Sequence, residues 1–183
     1  DSVTLEKLEG EDLVISEIDD RRNYVIRISP RKKGFYHLIA ANLDQAILVT
    51  SLRQPRTSIG FIDRFFVTLE TFRIPGVLVI NKTDIYDEDE MEMVEAMKWM
   101  YEDIGYKVVS TSFEKGELGE LESVLMGKTS LLSGHSGTGK STLINLLLPN
   151  LKQEVSEVSD SVDKGVHTTT FAEMFDWEDA QII

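Results

Sequence analysis

Eight residues, Gly134-His135-Ser136-Gly137-Thr138-Gly139-Lys140-Ser141, leave few folds open to this chain. In a G-x-x-x-x-G-K-S pattern the glycines let successive backbone N–H groups turn inward onto an anion, where a Cβ would clash. Lys140 supplies a point charge for terminal phosphates and Ser141 a hydroxyl for Mg²⁺. A helix that follows adds the positive end of its dipole. The flanks agree with this phosphate-binding loop, or P-loop. Residues 129–133 form a short apolar run of strand type, and residues 140–148 have helical character ahead of Pro149.

The rest of the chain repeats that alternation. Strands are expected over 45–50, 77–80 and 106–110, with helices over 58–72, 88–104 and 119–126. Ile59, Ile62, Phe65, Phe66, Leu69 and Phe72 share one face of the first helix, for which Ser58 is available as N-cap. Met91, Val94, Met97, Tyr101 and Ile104 share a face of the second, and its acids read as a solvated face. Such an order predicts an α/β fold with a parallel sheet covered by helices. Residues 1–43 differ. Val- and Ile-rich runs at 12–18 and 23–29 are expected to pair as a hairpin across 19–22. Two or three strands are too few for a barrel, so this region reads as the tail of a small β-domain whose beginning is missing.

Asn81-Lys82-Thr83-Asp84 directly follows the strand at 77–80. It therefore falls at the carboxyl edge of the sheet, where the phosphate loop also lies. A carboxylate at Asp84 accepts two hydrogen bonds from the N1–H and N2–H₂ of guanine, whereas adenine would leave it unpaired. By itself, the tetrapeptide is explained equally well as a capped turn before the helix at 88. Beside the phosphate loop it points to guanine nucleotide. A P-loop kinase or ATPase would leave Asn81 and Asp84 without a purpose.

Composition excludes several other classes. The 183 residues contain 19 Lys and Arg against 32 Asp and Glu, for a net charge of −13. A chain-wide basic surface for nucleic acid is excluded, although Arg21, Arg22, Arg27, Arg31, Lys32 and Lys33 form a local basic stretch without an acid. Cysteine is absent, so these residues hold neither a disulfide nor a thiolate zinc site. The apolar runs are too short to span a bilayer, and no signal peptide is visible. A cytoplasmic protein without a membrane partner is expected. The start at Asp1 and the end at Ile183 are expected to be cuts in a longer chain.

The motif order is unusual, because Asn81-Lys82-Thr83-Asp84 precedes the phosphate loop. Ser110-Thr111-Ser112 ends the next strand, and Gly165-Val166-His167-Thr168-Thr169-Thr170 follows later. His37-x-Ile39-Ala40-Ala41-Asn42-x-Asp44 lies at the junction of the two regions. In combination these resemble the circularly permuted GTPases of the ribosome small-subunit-dependent GTPase A (RsgA, also YjeQ) family. The resemblance implies a partial OB-fold barrel over 1–43 and a permuted P-loop GTPase domain over 44–183. That domain would be incomplete at its C-terminal end, with its Asp-x-x-Gly element and a zinc-binding domain beyond this chain.

The resemblance also implies GTP and GDP as ligands with Mg²⁺, and hydrolysis stimulated by the small (30S) ribosomal subunit late in its maturation. Asn81, Lys82, Thr83 and Asp84 would hold guanine with Ser110 and Thr111. Gly134, His135, Ser136, Gly137, Thr138, Gly139, Lys140, Ser141 and Thr142 would hold the phosphates, with Ser141 and Thr169 on Mg²⁺. His167 is expected to position the attacking water, or instead to contact the ribosome or pack within a switch. The basic stretch is expected to touch rRNA, and the protein to be a monomer. Zn²⁺ is implied by the family, without ligands in this chain. Two alternatives remain open: another permuted assembly GTPase, or a GTP-sensing module with negligible turnover.

Overall fold

A six-residue run in which every position is buried needs cover on both faces, and β5 (Gln45–Thr50) is such a run. In the computed structural model, which describes residues 1–7, 13–28, 36–149 and 173–183, β5 lies inside a six-stranded sheet. It runs parallel to β6 (Gly76–Ile80) on one side and β8 (Thr129–Ser133) on the other. β7 (Lys107–Ser110) extends the sheet beyond β6, and β10 (Ala180–Ile182) lies parallel to β8. The order is β7-β6-β5-β8-β10-β9. The parallel sheet expected from the alternation is present, with an antiparallel edge added by β9 (Phe175–Trp177).

The period of two along each strand sorts the core into two layers. Leu48, Leu78 and Ile80 face α1 (Ile59–Thr71) and α2 (Glu88–Asp103), packing with Ile62, Phe66, Val94 and Tyr101. Ile47, Val49, Val77 and Val79 face the opposite layer with Leu121, Leu125, Leu143 and Leu147. These come from α3 (Leu121–Leu125) and α4 (Lys140–Leu147). Each such side chain contributes about 1.5–3 kcal/mol by leaving water. Of the expected faces, Ile59 and Ile104 lie at the ends of their helices and are exposed. Ser58 occupies the N-cap of α1, but only its carbonyl serves there, accepting from Phe61 and Ile62 N–H. α2 has a true capping box, in which Asp87 accepts from Glu90 N–H and the Glu90 carboxylate accepts from Asp87 N–H. No helix among the described residues is long and apolar enough to cross a membrane.

The N-terminal strands pair differently from the expectation. β1 (Val3–Lys7) pairs with β2 (Leu13–Ile18), and β3 (Tyr24–Ile28) pairs with β4 (Tyr36–Ala41), both antiparallel. The hairpin across 19–22 is not formed. Asp19 N–H closes onto the Ser2 carbonyl, and the chain then turns toward residues 42–44. Asn23 clamps Leu43 there, accepting from its N–H at 2.8 Å and donating to its carbonyl at 2.9 Å. Asn23 and Leu43 are both buried, so unpairing those groups would cost about 1–3 kcal/mol each. That clamp outweighs the local preference for a hairpin.

Candidate functional site

Because β5, β6, β7 and β8 are parallel, their carboxyl ends deliver four loops to one edge of the sheet. The phosphate loop leaves β8. Side chains at Gly134 or Gly139 would collide with the Val49 carbonyl or the Asn81 amide respectively, so the close approach of loop to neighbour requires glycine. Gly139, with φ of 109°, is the N-cap of α4. Thr138 is fully buried and its hydroxyl donates to the His135 carbonyl at 2.9 Å. Lys140 Nζ donates to the carbonyls of Gly134 and His135, each at 2.8 Å. Burial holds its ammonium below the ordinary lysine value. A desolvated cation at a helix start, whose partners among the described residues are carbonyl oxygens, suits an anion. Ser141 is exposed and Thr142 half-buried in the first turn of α4.

Asn81 leaves β6 buried and joins three loops. Its amide donates to the Thr138 carbonyl at 2.8 Å. Its Oδ1 accepts from Phe113 N–H at 3.0 Å and from the Thr111 hydroxyl at 3.2 Å. Lys82, at a φ of 71°, sends Nζ to the Gln54 carbonyl. Thr83 donates through both N–H and hydroxyl to the Thr111 carbonyl. Asp84 Oδ1 accepts from the Ser112 hydroxyl at 2.7 Å. Ser110 Oγ is buried without a partner among the described residues. Tyr86 donates its hydroxyl to the Asn81 carbonyl and accepts from Leu52 N–H at 2.8 Å. Desolvation is the main cause that raises its pKa.

The expected base-side and phosphate-side residues thus meet at one sheet edge, joined by Asn81. The expected rRNA contacts lie elsewhere. Arg21 pairs with Asp1, while Arg22 pairs with Asp44 and donates to the Asn42 carbonyl. Arg27 belongs to β3, and Arg31, Lys32 and Lys33 lie outside the described residues, as do His167, Thr168, Thr169 and Thr170. Ser112 and the Phe113 N–H were missed as site groups. The Ser110-Thr111-Ser112 triplet signalled the first, and nothing local signalled the second. The loop at 51–58 was missed too, although Gln-Pro within it marks a turn.

The fit to ligands can be judged from these groups. Lys140, the glycine cradle and Ser141 suit a nucleotide polyphosphate with Mg²⁺. The absence of cysteine excludes a thiolate zinc site in this chain, and among the described residues no group of three His, Asp or Glu gathers.

Comparisons with known proteins bear on the fold and the family. The small ribosomal subunit biogenesis GTPase RsgA of Cytophaga hutchinsonii is 50% identical over 175 residues, covering 95% of this chain and 57% of that protein. Its namesake in Bacteroides fragilis is 47% identical over 162 residues, covering 88% and 52%. The chain therefore spans about half the length of the curated relatives it matches. The crystal structure of YjeQ from Thermotoga maritima superposes with a TM-score of 0.73 at 31% identity, covering 98% of this chain and 57% of that one. YloQ, titled a circularly permuted GTPase, gives 0.63 at 32% identity, covering 81% and 49%. The fold is that of a circularly permuted P-loop GTPase preceded by part of an OB-type β-domain. The model of the RsgA GTPase family matches residues 18–183, and with Asn81-Lys82-Thr83-Asp84 ahead of the glycine-rich loop and Asn81 joined to it, the chain belongs to that family.

Proposed function

We propose that the protein containing this chain binds GTP and hydrolyses it as a factor in late maturation of the small ribosomal subunit, with hydrolysis stimulated by the subunit. The observation that supports this is the Asn81 joint, whose amide donates to the Thr138 carbonyl of the glycine-rich loop while its Oδ1 accepts from Phe113 N–H in the loop after β7. The partner is suggested by its relatives, which are small ribosomal subunit biogenesis GTPases. Residues 1–43 serve as the partial OB-fold and 44–183 as the GTPase domain. The protein acts as a cytoplasmic monomer.

Asp84, oriented by Ser112, takes the two guanine donors, with Asn81, Lys82, Thr83, Ser110 and Thr111 forming the surrounding wall. Residues 134–139 and 142 bind phosphate through backbone N–H groups and hydroxyls. Lys140, held by the Gly134 and His135 carbonyls, turns its remaining N–H to the terminal phosphates and neutralises charge there. Mg²⁺ neutralises phosphate charge when bound, and Ser141 with Thr169 would hold it. His167 orients the attacking water or accepts its proton. Loss of the terminal phosphate releases the 164–170 segment and changes affinity for the subunit. Arg21, Arg22, Arg27, Arg31, Lys32 and Lys33 contribute contacts to rRNA.

The test is phosphate release from GTP by the full-length protein, with and without purified small subunits, using Lys140→Ala as control. Stimulation by the subunit that disappears in the variant is expected. Tight GTP binding without stimulated release would instead identify a GTP-sensing module. His167→Ala should abolish stimulated turnover while leaving GTP affinity intact.

A further inference from the structure

The phosphate loop is anchored unevenly. Its Thr138–Gly139 end is pinned by Asn81, whereas His135, Ser136 and Gly137 are exposed. A segment with glycines at 134 and 137 has little intrinsic stiffness. Among the described residues an aromatic contact steadies that exposed end: the His135 imidazole lies tilted against Phe61 in the first turn of α1, with ring centroids 4.2 Å apart at 35°. Phe61 is in turn packed against the core layer under α1 and α2. Holding the His135 ring holds its carbonyl, which receives Lys140 Nζ at 2.8 Å and the Thr138 hydroxyl at 2.9 Å. A continuous path therefore runs from a core-anchored ring to the ammonium that faces the terminal phosphates.

The loop preceding α1 strengthens the arrangement, because it is tied to the base side. Lys82 reaches the Gln54 carbonyl, Tyr86 receives Leu52 N–H, and Arg53 pairs with Asp87 and Glu90. Pro55 lies beside Gly137, within 3.4 Å of where a Cβ would stand. The segment from Ser51 to Phe61 thus contacts both the base loop and the exposed end of the phosphate loop.

We propose that Phe61 is a positioning residue for nucleotide binding, acting through His135 to hold the phosphate loop and Lys140 in register with the base loop. The proposal rests on the guanine-nucleotide function above. A tilted aromatic contact of this kind predicts about three- to tenfold faster nucleotide release when either ring is lost. The experiment measures dissociation of a fluorescent GDP analogue, with melting temperature in parallel, from full-length wild type, Phe61→Leu, His135→Ala, the double variant and Phe61→Tyr. Each single variant should accelerate release, the double variant should do so no further, and Phe61→Tyr should restore the wild-type rate. His135 is exposed, so its variant reports even if Phe61→Leu fails to fold. Unchanged release in His135→Ala, or additive effects in the double variant, would overturn the proposal while leaving GTP binding standing. Wild-type protein that retained no guanine nucleotide would overturn the proposed function and this inference together.

Discussion

At the scale of single residues, the proposed function gives Asp84 and Lys140 different halves of recognition. Asp84 presents acceptors only, so Asp84→Asn replaces one acceptor with a donor and faces guanine with a mismatch. Its affinity for GTP should fall by on the order of 10³-fold. The variant should gain affinity for xanthosine nucleotides, whose C2 carbonyl accepts from the new amide, and competition titrations with both nucleotides check this. Lys140 is depressed by burial, and a phosphate opposite it would restore the charged form. Nucleotide binding should therefore take up protons in alkaline solution, and affinity should fall as pH rises through the depressed lysine value. Calorimetry in buffers of different ionisation enthalpy measures that uptake, which Lys140→Ala should abolish.

The junction between the N-terminal strands and the sheet is set by individual elements meeting at Asn23 and Asp44. Asn23→Ala leaves both backbone groups of Leu43 without their partners, and about 2 kcal/mol of stability should be lost in denaturant titration. Asp44 accepts from Thr129 N–H at 2.8 Å and from Arg22 at 2.6 Å, and its pKa is lowered, first by the Thr129 bond. A lowered carboxylate pKa gives stability that is complete above the ordinary value of 3.8 and lost as pH falls through the folded-state value. With its side chain 34% exposed, Asp44 contributes about 1 kcal/mol or less. Asp44→Asn should be less stable than wild type at neutral pH, with the gap closing in acid. α2 offers a comparable check, since Asp87→Ala removes one arm of its capping box and should cost about 1 kcal/mol.

For the whole molecule, a net charge of −13 means that the proposed attraction to rRNA must come from local basic groups. Replacing Arg31, Lys32 and Lys33 together by alanine should weaken association with the small subunit. It should also flatten the salt dependence of binding by about one unit per lost phosphate contact, which a salt titration measures. The parallel sheet, the apolar faces of α1 and α2 and the convergence of 81–84 with 134–141 were legible in the sequence, whereas the strand order and the antiparallel edge at β9 were not. Hydrophobic period and glycine spacing are local properties that constrain the backbone directly. The pairing of the N-terminal strands was not legible, because the residues at 12–18 and 23–29 suit a hairpin as well as any other pairing. Only the buried clamp of Asn23 on Leu43 selects the observed one.

The amino-acid sequence alone determined the chemistry on offer: glycines where a side chain would collide, a lysine and serine at a helix start, and a carboxylate after an apolar strand. The tertiary structure decided which groups meet. It made Asn81 the joint between base and phosphate loops, seated Asp84 on Ser112, and placed Phe61 under His135. Those contacts join residues far apart in the chain, and neither partner's local pattern changes when the other is absent. They come into existence only when parallel strands bring their carboxyl ends to a common edge.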